Sequence, residues 1–470
     1  MVSLRYISNE DKNALRANPA PELEDTSEPN LMRDIFPYTE VPRVCFENKR
    51  VPMDLPSEIF ITDTTFRDGQ QGHKPYSVEQ IVRLFELLNK LGGPKGIIRQ
   101  SEFFLYSKKD KQAVEACRKK GFEFPQITGW IRAHKEDFKL VKQMELNETG
   151  ILTSASDYHI FLKLKWTRKK AIENYLDIAR SAIDSEIVPR CHFEDVTRAD
   201  VYGFVVPLAR KLMELQKESG MPVKIRLCDT LGFGVENEYA ALPRSVPKLV
   251  HTMVHDAGVP KEQLEWHGHN DFYRMVACSV SAWLHGCAGI NGTLLGYGER
   301  TGNTPIEALC IEYAQLTGST GGMDLSVITE VVKYFKEDIK ARIARAKPFI
   351  GSEFNLTRAG IHADGLLKNE EIYNIFDTAK ILNRPVQVAI TDKSGIAGLV
   401  YKINELFDLE KKVDKSTPGI AEIYGSIHQQ YLDGRTTPIS EDELASLVME
   451  FMGHILSCEY PGKLDLPAKE

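Results

Sequence analysis

Two histidines separated by one residue are the part of this sequence best suited to chemistry. His267 and His269 lie in the stretch Trp266–Asp271 (WHGHND), at the end of a run that is predicted to form a β-strand. Successive side chains of a strand point to opposite faces, so residues two apart point to the same face. The spacing therefore predicts two imidazoles close enough to hold one divalent metal ion. A histidine pair in a polar loop is the alternative, because such isolated pairs are common.

Four further polar clusters follow predicted strands, and some of their side chains are potential metal ligands. They are Asp63–Gln71 (DTTFRDGQQ), His192–Arg198 (HFEDVTR), Cys228–Gly232 (CDTLG) and Gly296–Asn303 (GYGERTGN). Asp68 and Asn303, added to the histidine pair, make a set of oxygen and nitrogen donors without a thiolate. Such a set suits Mn²⁺, Mg²⁺, Co²⁺ or Zn²⁺. Taken singly, Asp68 and Asn303 are equally typical of turns.

Arg67 precedes the potential ligand Asp68 in the sequence. A guanidinium beside a metal site is well placed to stabilise an oxyanion. An ion pair with Glu194 or Asp63 is the structural alternative, and the two roles are compatible.

Eight strand-like runs alternate with amphipathic helical segments between residues 59 and 320. The strand candidates are Ile59–Thr64, Gly96–Phe104, Phe122–Thr128, Thr149–Ser154, Ser185–Phe193, Pro222–Cys228, Leu264–His269 and Ala288–Leu295. Helical periodicity is clear in Val78–Leu91, Lys169–Ser181 and Tyr202–Ser219. Eight such units predict an α/β fold, a (β/α)8 TIM barrel, in which the polar clusters meet at one rim. A doubly wound sheet is the rival, but it would need a glycine-rich phosphate fingerprint that the sequence lacks.

The predicted barrel, residues 58–320, is flanked by two segments of different character. Residues 1–57 are rich in Pro, Asn, Asp and Glu and predict an irregular arm that wraps a surface or a partner subunit. Residues 321–470 predict a mostly helical C-terminal extension. Its first helix is expected over Leu325–Ala346, because Pro348 would end it.

Composition excludes several classes of protein. The chain has 470 residues, 42% of them hydrophobic and 27% charged, which is typical of globular proteins. A net charge of −7 provides no field that would attract nucleic acid or an anionic membrane. No apolar run reaches the roughly 18 residues of a membrane span, and the N-terminus lacks an apolar targeting segment, so a cytoplasmic location is expected. The eight cysteines form no CxxC pair and are expected to be reduced and buried.

Three of these motifs together resemble a known family. DTTFRDGQQ, HGHND and GYGERTGN are similar to the DTTxRDGxQ, HxHND and GxGERxGN motifs of the metal-dependent acyl-CoA Claisen barrels, or DRE-TIM metallolyases. That family includes 2-isopropylmalate and homocitrate synthases and the 3-hydroxy-3-methylglutaryl-CoA lyases, and the likeness covers roughly residues 59–400. It implies an acyltransferase that joins acetyl-CoA to a 2-oxo acid, with Mn²⁺ as the favoured cofactor and a homodimer or larger assembly.

The resemblance also implies roles for individual residues. Asp68, His267 and His269 match the metal ligands and Asn303 a further ligand, while Arg67 matches the arginine that polarises the keto oxygen. The remaining matches are His159 in the substrate pocket, Glu194 as an acid behind the ligands, Thr230 at the 2-oxo acid carboxylate, Gln71 at the end of the first motif, and His362 as the acid/base residue with Tyr373 as its neighbour.

The chain departs from the family pattern in ways that favour one acceptor. Gln70 replaces a common Glu, the strand Arg99–Phe104 (RQSEFF) replaces ExGFP, and too few residues follow Leu399 for a leucine-sensing domain. With the long arm, these features are most similar to the Re-specific citrate synthases. They imply oxaloacetate as acceptor and hydrolysis of the thioester to citrate, whereas 2-oxoglutarate and 2-oxoisovalerate are the alternatives. A cation must then bind the distal carboxylate of oxaloacetate, and Arg99 and Arg132 are the candidates.

Other activities of this fold are less consistent with the sequence. The lyases of the family use a cysteine in the loop that corresponds to Leu295–Gly298, and this chain has none there. No motif marks the carbamylated lysine of a carboxyltransferase. A non-catalytic barrel would be expected to have lost a ligand or Arg67, and all are present.

Overall fold

Eight parallel strands close into a barrel in the computed structural model, which describes residues 5–8, 11–16, 21–72, 74–409 and 412–459. The strands in chain order are β1 (Arg5–Tyr6), β2 (Cys45–Phe46), β3 (Phe60–Asp63), β4 (Ile98–Phe104), β5 (Gln126–Ile131), β6 (Glu148–Ser154), β7 (Val188–Glu194), β8 (Lys224–Asp229), β9 (Leu264–Gly268) and β10 (Gly289–Gly292). Strands β3 to β10 each pair with their neighbours in the chain, and β10 closes the barrel onto β3. The predicted (β/α)8 barrel is confirmed.

All eight predicted strands are present, although their ends differ. The largest difference is at β5, which begins at Gln126 whereas Phe122 was predicted as its first residue. Pro125 explains the difference, because proline has no N–H group to donate to a neighbouring strand.

Helices follow the barrel strands in the alternating order that the sequence predicted. They are α1 (Val78–Gly92), α2 (Lys108–Arg118), α3 (Phe138–Gln143), α4 (Arg168–Asp184), α5 (Val206–Ser219), α6 (Val246–His255), α7 (Met275–His285) and α8 (Ile306–Thr317). Helix α1 shows how they form: the Ser77 hydroxyl accepts the Gln80 N–H, and the Gln80 side chain accepts the Ser77 N–H. Its periodic face, which includes Leu84 and Leu88, is buried.

The interior of the barrel is charged. Arg190 on β7 donates to Glu102 and Glu148, at 2.9 Å in each case. Arg226 on β8 donates to Glu102 at 3.0 Å and to Glu265 at 2.7 Å. Burial would raise the pKa of Glu265, but Arg226 and Arg190 outweigh it and hold that pKa at about 2. Because every charge is paired, the barrel tolerates ions where branched apolar layers are usual.

The amino-terminal arm packs on the outside of its own barrel. The β1–β2 pair is parallel, and the Ala241 N–H donates to the Cys45 carbonyl at 2.8 Å. Buried Glu47 accepts from buried Lys248 at 2.5 Å. Between these polar contacts Phe36 packs against Phe233 with ring centroids 5.1 Å apart. The arm is irregular, as predicted, and covers a surface of the same chain.

The chain divides into two units, Met1–Val327 and Ile328–Glu470. The finer division predicted at residues 57/58 and 320/321 remains a prediction. The elements after the barrel are α9 (Val327–Glu337), β11 (Leu356–Thr357), α10 (Gly360–Lys368), α11 (Thr378–Leu382), β12 (Gln387–Val388), α12 (Gly395–Leu406), α13 (Ile420–Leu432) and α14 (Glu441–Glu459). The second unit has its own apolar core, formed by residues such as Leu399, Ile423 and Val448. The predicted helical extension is confirmed.

The predicted helix Leu325–Ala346 is wrong in its second half, because α9 ends at Glu337. The Ile339 N–H bonds to the Tyr334 carbonyl at 3.2 Å, which closes the helix end. Lys340 then adopts φ 59°, which no helix can continue. A proline eight residues further on was therefore the wrong stop signal.

Two expectations from composition can be compared with the described residues. The seven cysteines whose side chains are described are all buried and free, while the side chain of Cys458 lies outside the described residues. None of the helices in the described part of the chain is long and apolar enough to span a membrane.

We predict that Arg190→Met destabilises the first unit by about 3–5 kcal/mol, because it removes one counter-ion from each of buried Glu102 and Glu148, which then depend on Arg226 and Lys224. Urea unfolding should be followed by tryptophan fluorescence, since all four tryptophans lie in that unit (Trp130, Trp166, Trp266 and Trp283). Arg180→Met is the matched control. Its pair with Glu218 has side chains 58% and 62% exposed and should contribute less than about 1 kcal/mol. Equal losses in both variants would contradict the interpretation.

Candidate metal centre and active site

Three potential metal ligands converge at the carboxyl ends of the barrel strands. Asp68 follows β3, His267 lies on β9, and His269 follows β9 directly. All three are buried, and one donor atom of each lies within 4.8 Å of the others. The Asp68 carboxylate is 3.4 Å from His267 Nε2 and 3.5 Å from His269 Nε2, and the two Nε2 atoms are 3.2 Å apart. The structure therefore brings together the histidine pair and the carboxylate that the sequence predicted.

The two imidazoles are held in different ways. His267 Nδ1 lies 2.7 Å from the Asn291 side-chain oxygen, which turns Nε2 toward the cluster. His269 lies just beyond the strand, where it forms an isolated backbone bridge with Asn303. The ring planes are inclined by 74°, with centroids 5.1 Å apart. Both rings thus present Nε2 to one point although only His267 belongs to the strand.

Asn303, the fourth predicted ligand, is at the same point. Its Nδ2 donates to Asp68 at 2.7 Å and lies 3.4 Å from His267 Nε2. Its Oδ1 is buried without a hydrogen-bond partner among the described residues. A half-turn of the amide exchanges the two atoms and brings the oxygen to face the cluster. A carboxylate, two imidazoles and an amide oxygen without a partner form a donor set that fits a hard or borderline divalent cation.

The ionisation of the cluster also suits a cation. Burial would raise the pKa of Asp68, but Arg67, His267 and His269 outweigh it and hold that pKa far below its usual range. Burial and the neighbouring His267 lower the pKa of His269 to about 3. Asp68 is therefore an anion and His269 a neutral base at neutral pH, which are the forms that bind metals.

Two glycines allow the loops that carry Asp68 and Asn303 to touch. A Cβ on Gly72 would lie 2.1 Å from the Gly298 carbonyl oxygen, and a Cβ on Gly298 would lie 1.7 Å from Asn303 Oδ1. Neither contact leaves room for a side chain. The glycines of the last motif therefore act here through close packing of backbone.

Arg67 is held against aromatic rings beside the cluster. Its guanidinium lies 4.7 Å from the Trp130 ring centroid and 6.0 Å from that of Phe104, and 3.4 Å from the Asp68 carboxylate. The expected alternative partners, Glu194 and Asp63, do not pair with it in the described residues. The aromatic pair was missed by sequence reasoning, although Phe104 ends one predicted strand and Trp130 lies two residues beyond the end of the next. A rigid cation beside the ligands can stabilise an oxyanion.

His159, Glu194 and Thr230 form a second group on the same rim. His159 Nδ1 is 3.0 Å from Glu194, which also accepts from the Ser154 hydroxyl. Burial would raise the pKa of Glu194, but His159 outweighs it and brings that pKa to about 2. The Thr230 hydroxyl accepts from the Asp195 N–H at 2.8 Å. Three of the residues implied by the family resemblance therefore lie together at the ends of β6, β7 and β8.

Arg300 connects this group to the histidine loop, and sequence reasoning missed it. Its guanidinium donates to the Thr230 carbonyl at 2.5 Å and to Asp271 at 2.8 Å. Arg300 has a backbone φ of 53°, in the left-handed region. Its position between two glycines of the last motif was the feature of the sequence that could have identified it as a site residue.

The two glutamines of the first motif have different environments. Gln71 is exposed in a short 3₁₀ turn, Gly69–Gln71. Gln70, where the family has a glutamate, donates to the Phe66 carbonyl at 2.6 Å and accepts from the Tyr76 N–H at 3.3 Å. Gln70 therefore braces the turn that carries Asp68, while the role of Gln71 remains a proposal.

The two candidate readers of a distal carboxylate lie at opposite ends of the barrel. The sequence predicted that Arg99 lies on the rim, but the structure places it at the other end of the barrel. Arg99 is the second residue of β4, is ion-paired with Glu58 before β3, and lies 4.8 Å from the Phe60 ring centroid. The prediction was wrong because it took the whole strand as part of the rim, whereas Arg99 lies at the amino end of β4 and the rim is formed by the carboxyl ends. Arg132 follows β5 at the rim, and there it pairs with Asp137 at 3.0 Å.

His362 and Tyr373 lie in the second unit. His362 is on α10, and its ring centroid is 4.3 Å from that of Tyr373. Tyr373 follows a short 3₁₀ turn and is 45% exposed. The structure brings these two residues together as neighbours, and their catalytic role remains a proposal.

Comparison with known proteins gives a consistent result. Residues 58–334 match the model of the HMGL-like family. The citrate (Re)-synthase of Syntrophus aciditrophicus is 56% identical over 433 residues, which cover 92% of this chain and 69% of that protein. The citrate (Re)-synthase of Clostridium kluyveri is 53% identical over 437 residues, 93% of this chain and 96% of that protein. The 2-phosphinomethylmalate synthase of Streptomyces hygroscopicus is 35% identical over 432 residues, 91% of this chain and 97% of that protein.

We predict that Asp68→Asn weakens Mn²⁺ binding more than about 100-fold, beyond the roughly 10–100-fold that loss of an outer hydrogen bond costs. The amide keeps the shape of the side chain but removes the charge that faces both imidazoles. Calorimetric titration of the chelator-treated protein measures the affinity. Asp184→Asn, at an exposed position at the end of α4, is the matched control and should bind like the wild type. An unchanged affinity in Asp68→Asn would remove Asp68 from the ligand set.

Proposed function

The chain belongs to the HMGL-like family, and from that membership we propose that it is an acyltransferase that condenses acetyl-CoA with oxaloacetate and releases citrate and CoA. The observation that carries the proposal is the identity of 53–56%, over more than nine-tenths of the chain, with two citrate (Re)-synthases. Attack on the Re face is part of the same proposal. The charged, metal-competent rim described above supports it.

The metal centre of the proposed enzyme uses Asp68, His267 and His269, with the Asn303 amide oxygen as a further ligand. When bound, a divalent cation supplies Lewis acidity that polarises the keto group of the acceptor. We propose Mn²⁺, while Co²⁺, Mg²⁺ and Zn²⁺ match the same donors.

Arg67 then acts on the keto oxygen of oxaloacetate. Its guanidinium donates to that oxygen as the new carbon–carbon bond forms and negative charge accumulates there. The face of Trp130 holds the guanidinium in place before the substrate arrives. Little reorganisation is then needed in the transition state, and a donor of this kind accounts for about 10²–10³ in rate.

The second rim group orients the acceptor. The Thr230 oxygen accepts from the Asp195 N–H, and its own proton, which makes only a long bond of 3.5 Å to the Cys228 carbonyl, can turn to donate to the 2-oxo acid carboxylate. Glu194 accepts from the Ser154 hydroxyl and pairs with His159, and it thereby keeps His159 in a fixed orientation at the pocket wall. Gln71 is proposed as a further substrate contact on the exposed turn after β3.

The proton on the acetyl-CoA methyl group needs a base, and His362 is our candidate. Its imidazole accepts the proton, with Tyr373 beside it at a ring separation of 4.3 Å. The resulting enolate adds to the keto carbon, and the alkoxide that forms takes up a proton to give the citryl thioester. Water then attacks the thioester carbonyl, and the sulfur leaves as CoA, so the overall reaction is driven forward by hydrolysis.

Arg132 is the remaining candidate for the distal carboxylate of oxaloacetate. The alternative acceptors, 2-oxoglutarate and 2-oxoisovalerate, differ from oxaloacetate in the length and charge of this part of the molecule. We also propose a homodimer or larger assembly and a cytoplasmic location, as the family resemblance and the composition imply.

We predict that the Mn²⁺-loaded protein releases free thiol from acetyl-CoA faster with oxaloacetate than with 2-oxoglutarate, pyruvate or 2-oxoisovalerate. The assay is run anaerobically with a thiol reagent, and citrate is measured as the product. Chelation should abolish release and added Mn²⁺ should restore it. A higher kcat/KM with another acceptor would identify that compound as the substrate and refute this assignment.

Arg132→Met should raise the KM for oxaloacetate about 10–100-fold, as expected for loss of a hydrogen bond between charged groups. Arg99→Met is the matched control, since Arg99 is paired with Glu58 at the opposite end of the barrel. Steady-state kinetics of both variants give the comparison. An unchanged KM in Arg132→Met would exclude Arg132 as the reader, and an equal rise in Arg99→Met would show a general loss of structure.

A further inference from the structure

We propose that Thr62 and Glu265 are positioning residues for the metal centre. They form the far end of a series of hydrogen bonds with one fixed order of donors and acceptors. This hydrogen-bond chain holds His267 with the Nε2 lone pair facing the cation. This inference rests on the metal centre proposed above. It extends that centre to two residues that touch neither the cation nor the substrate.

The hydrogen-bond chain crosses the three strands at which the barrel closes, β9, β10 and β3. His267 Nδ1 on β9 is 2.7 Å from Asn291 Oδ1 on β10. Asn291 Nδ2 is 2.9 Å from the Thr62 hydroxyl on β3. The Thr62 hydroxyl donates in turn to Glu265, which returns the chain to β9 two residues before His267.

The carboxylate determines the direction of every bond in the chain. Glu265 can only accept, so the Thr62 hydroxyl must donate its proton to it. The Thr62 oxygen is then free only to accept, and it does so from the Asn291 NH₂ group. Asn291 therefore presents its oxygen to His267, and His267 must carry its proton on Nδ1. Nε2 is left with a lone pair, which is the form that binds a metal.

The carboxylate end of the chain is itself anchored. Arg226 holds Glu265 through two bonds, from Nε at 2.7 Å and from Nη2 at 3.2 Å. Thr62, Glu265, Asn291 and Arg226 are all at most 5% exposed. Because the site is this well buried, bulk water cannot readily replace a deleted partner, and a break in the chain should reach the imidazole.

The test measures Mn²⁺ affinity of the full chain by calorimetric titration after chelation. Thr62→Val keeps the shape of the side chain and removes the hydroxyl, and it should weaken binding about 10–100-fold. Thr62→Ser restores the hydroxyl and should restore the affinity. Thr128→Val is the matched control: this buried hydroxyl accepts from Arg190 at 3.0 Å in the same charged interior, but among the described residues it makes no hydrogen bond to Thr62, Glu265, Asn291 or His267. It should bind Mn²⁺ like the wild type.

A second measurement separates the chain from general loosening of the core. Asn291→Leu should weaken binding to a similar extent, and Thr62→Val should cost nothing more in the Asn291→Leu background, because the chain is already broken there. Co²⁺ absorption spectra of the same variants report on ligand geometry without any assay of activity.

The outcomes are distinguishable. Wild-type protein that binds no divalent metal would refute the proposed metal centre itself. If the wild type binds Mn²⁺ and Thr62→Val binds it with the same affinity, the proposed metal centre stands and this inference alone is refuted. An equal loss in Thr128→Val, or additive losses in the double variant, would also overturn it.

Discussion

Closure of the barrel through β10 is the constraint on which the candidate site depends. Strand β10 pairs with β3 on one side and with β9 on the other. These two strands carry the turn with Asp68 and the histidine pair, and the loop after β10 delivers Asn303 to the same point. Asn303 and Asp68 are 235 residues apart in the chain, yet their side chains are 2.7 Å apart. A barrel that did not close in this register would separate the ligands.

The charged interior serves the same end. Most barrels of this fold fill the interior with layers of branched apolar side chains. Here Arg190 and Arg226 pair with buried glutamates, so the interior is held by directional bonds as well as by packing. Buried pairs of this kind add little net stability compared with apolar residues, but they penalise any other arrangement of the same groups. The interior therefore favours orientation of the rim over a gain in stability.

Two arginines at the rim, Arg67 and Arg132, differ in how firmly their side chains are held. Arg67 is fixed by Trp130 and Asp68, which suits a group that must stabilise charge as it develops. Arg132 is paired with Asp137 and has a side chain that is 58% exposed, which suits a group that exchanges its partner for a substrate carboxylate. The contrast fits the proposed roles of the two residues, Arg67 at the keto oxygen and Arg132 at the distal carboxylate of a dicarboxylic 2-oxo acid.

The sequence by itself determined the eight strands, the alternating helices and the set of candidate metal ligands, because hydrophobic periodicity and motif spacing are local properties. It also determined the family, through three motifs in order. Only the tertiary structure decided that Arg99 lies at the wrong end of the barrel, that α9 stops at Glu337, and that Trp130 supports Arg67. The path from His267 to Glu265 is likewise invisible in the chain, because it passes through side chains of three strands. Such contacts depend on which strand ends meet when the barrel closes, and no local pattern encodes that distance.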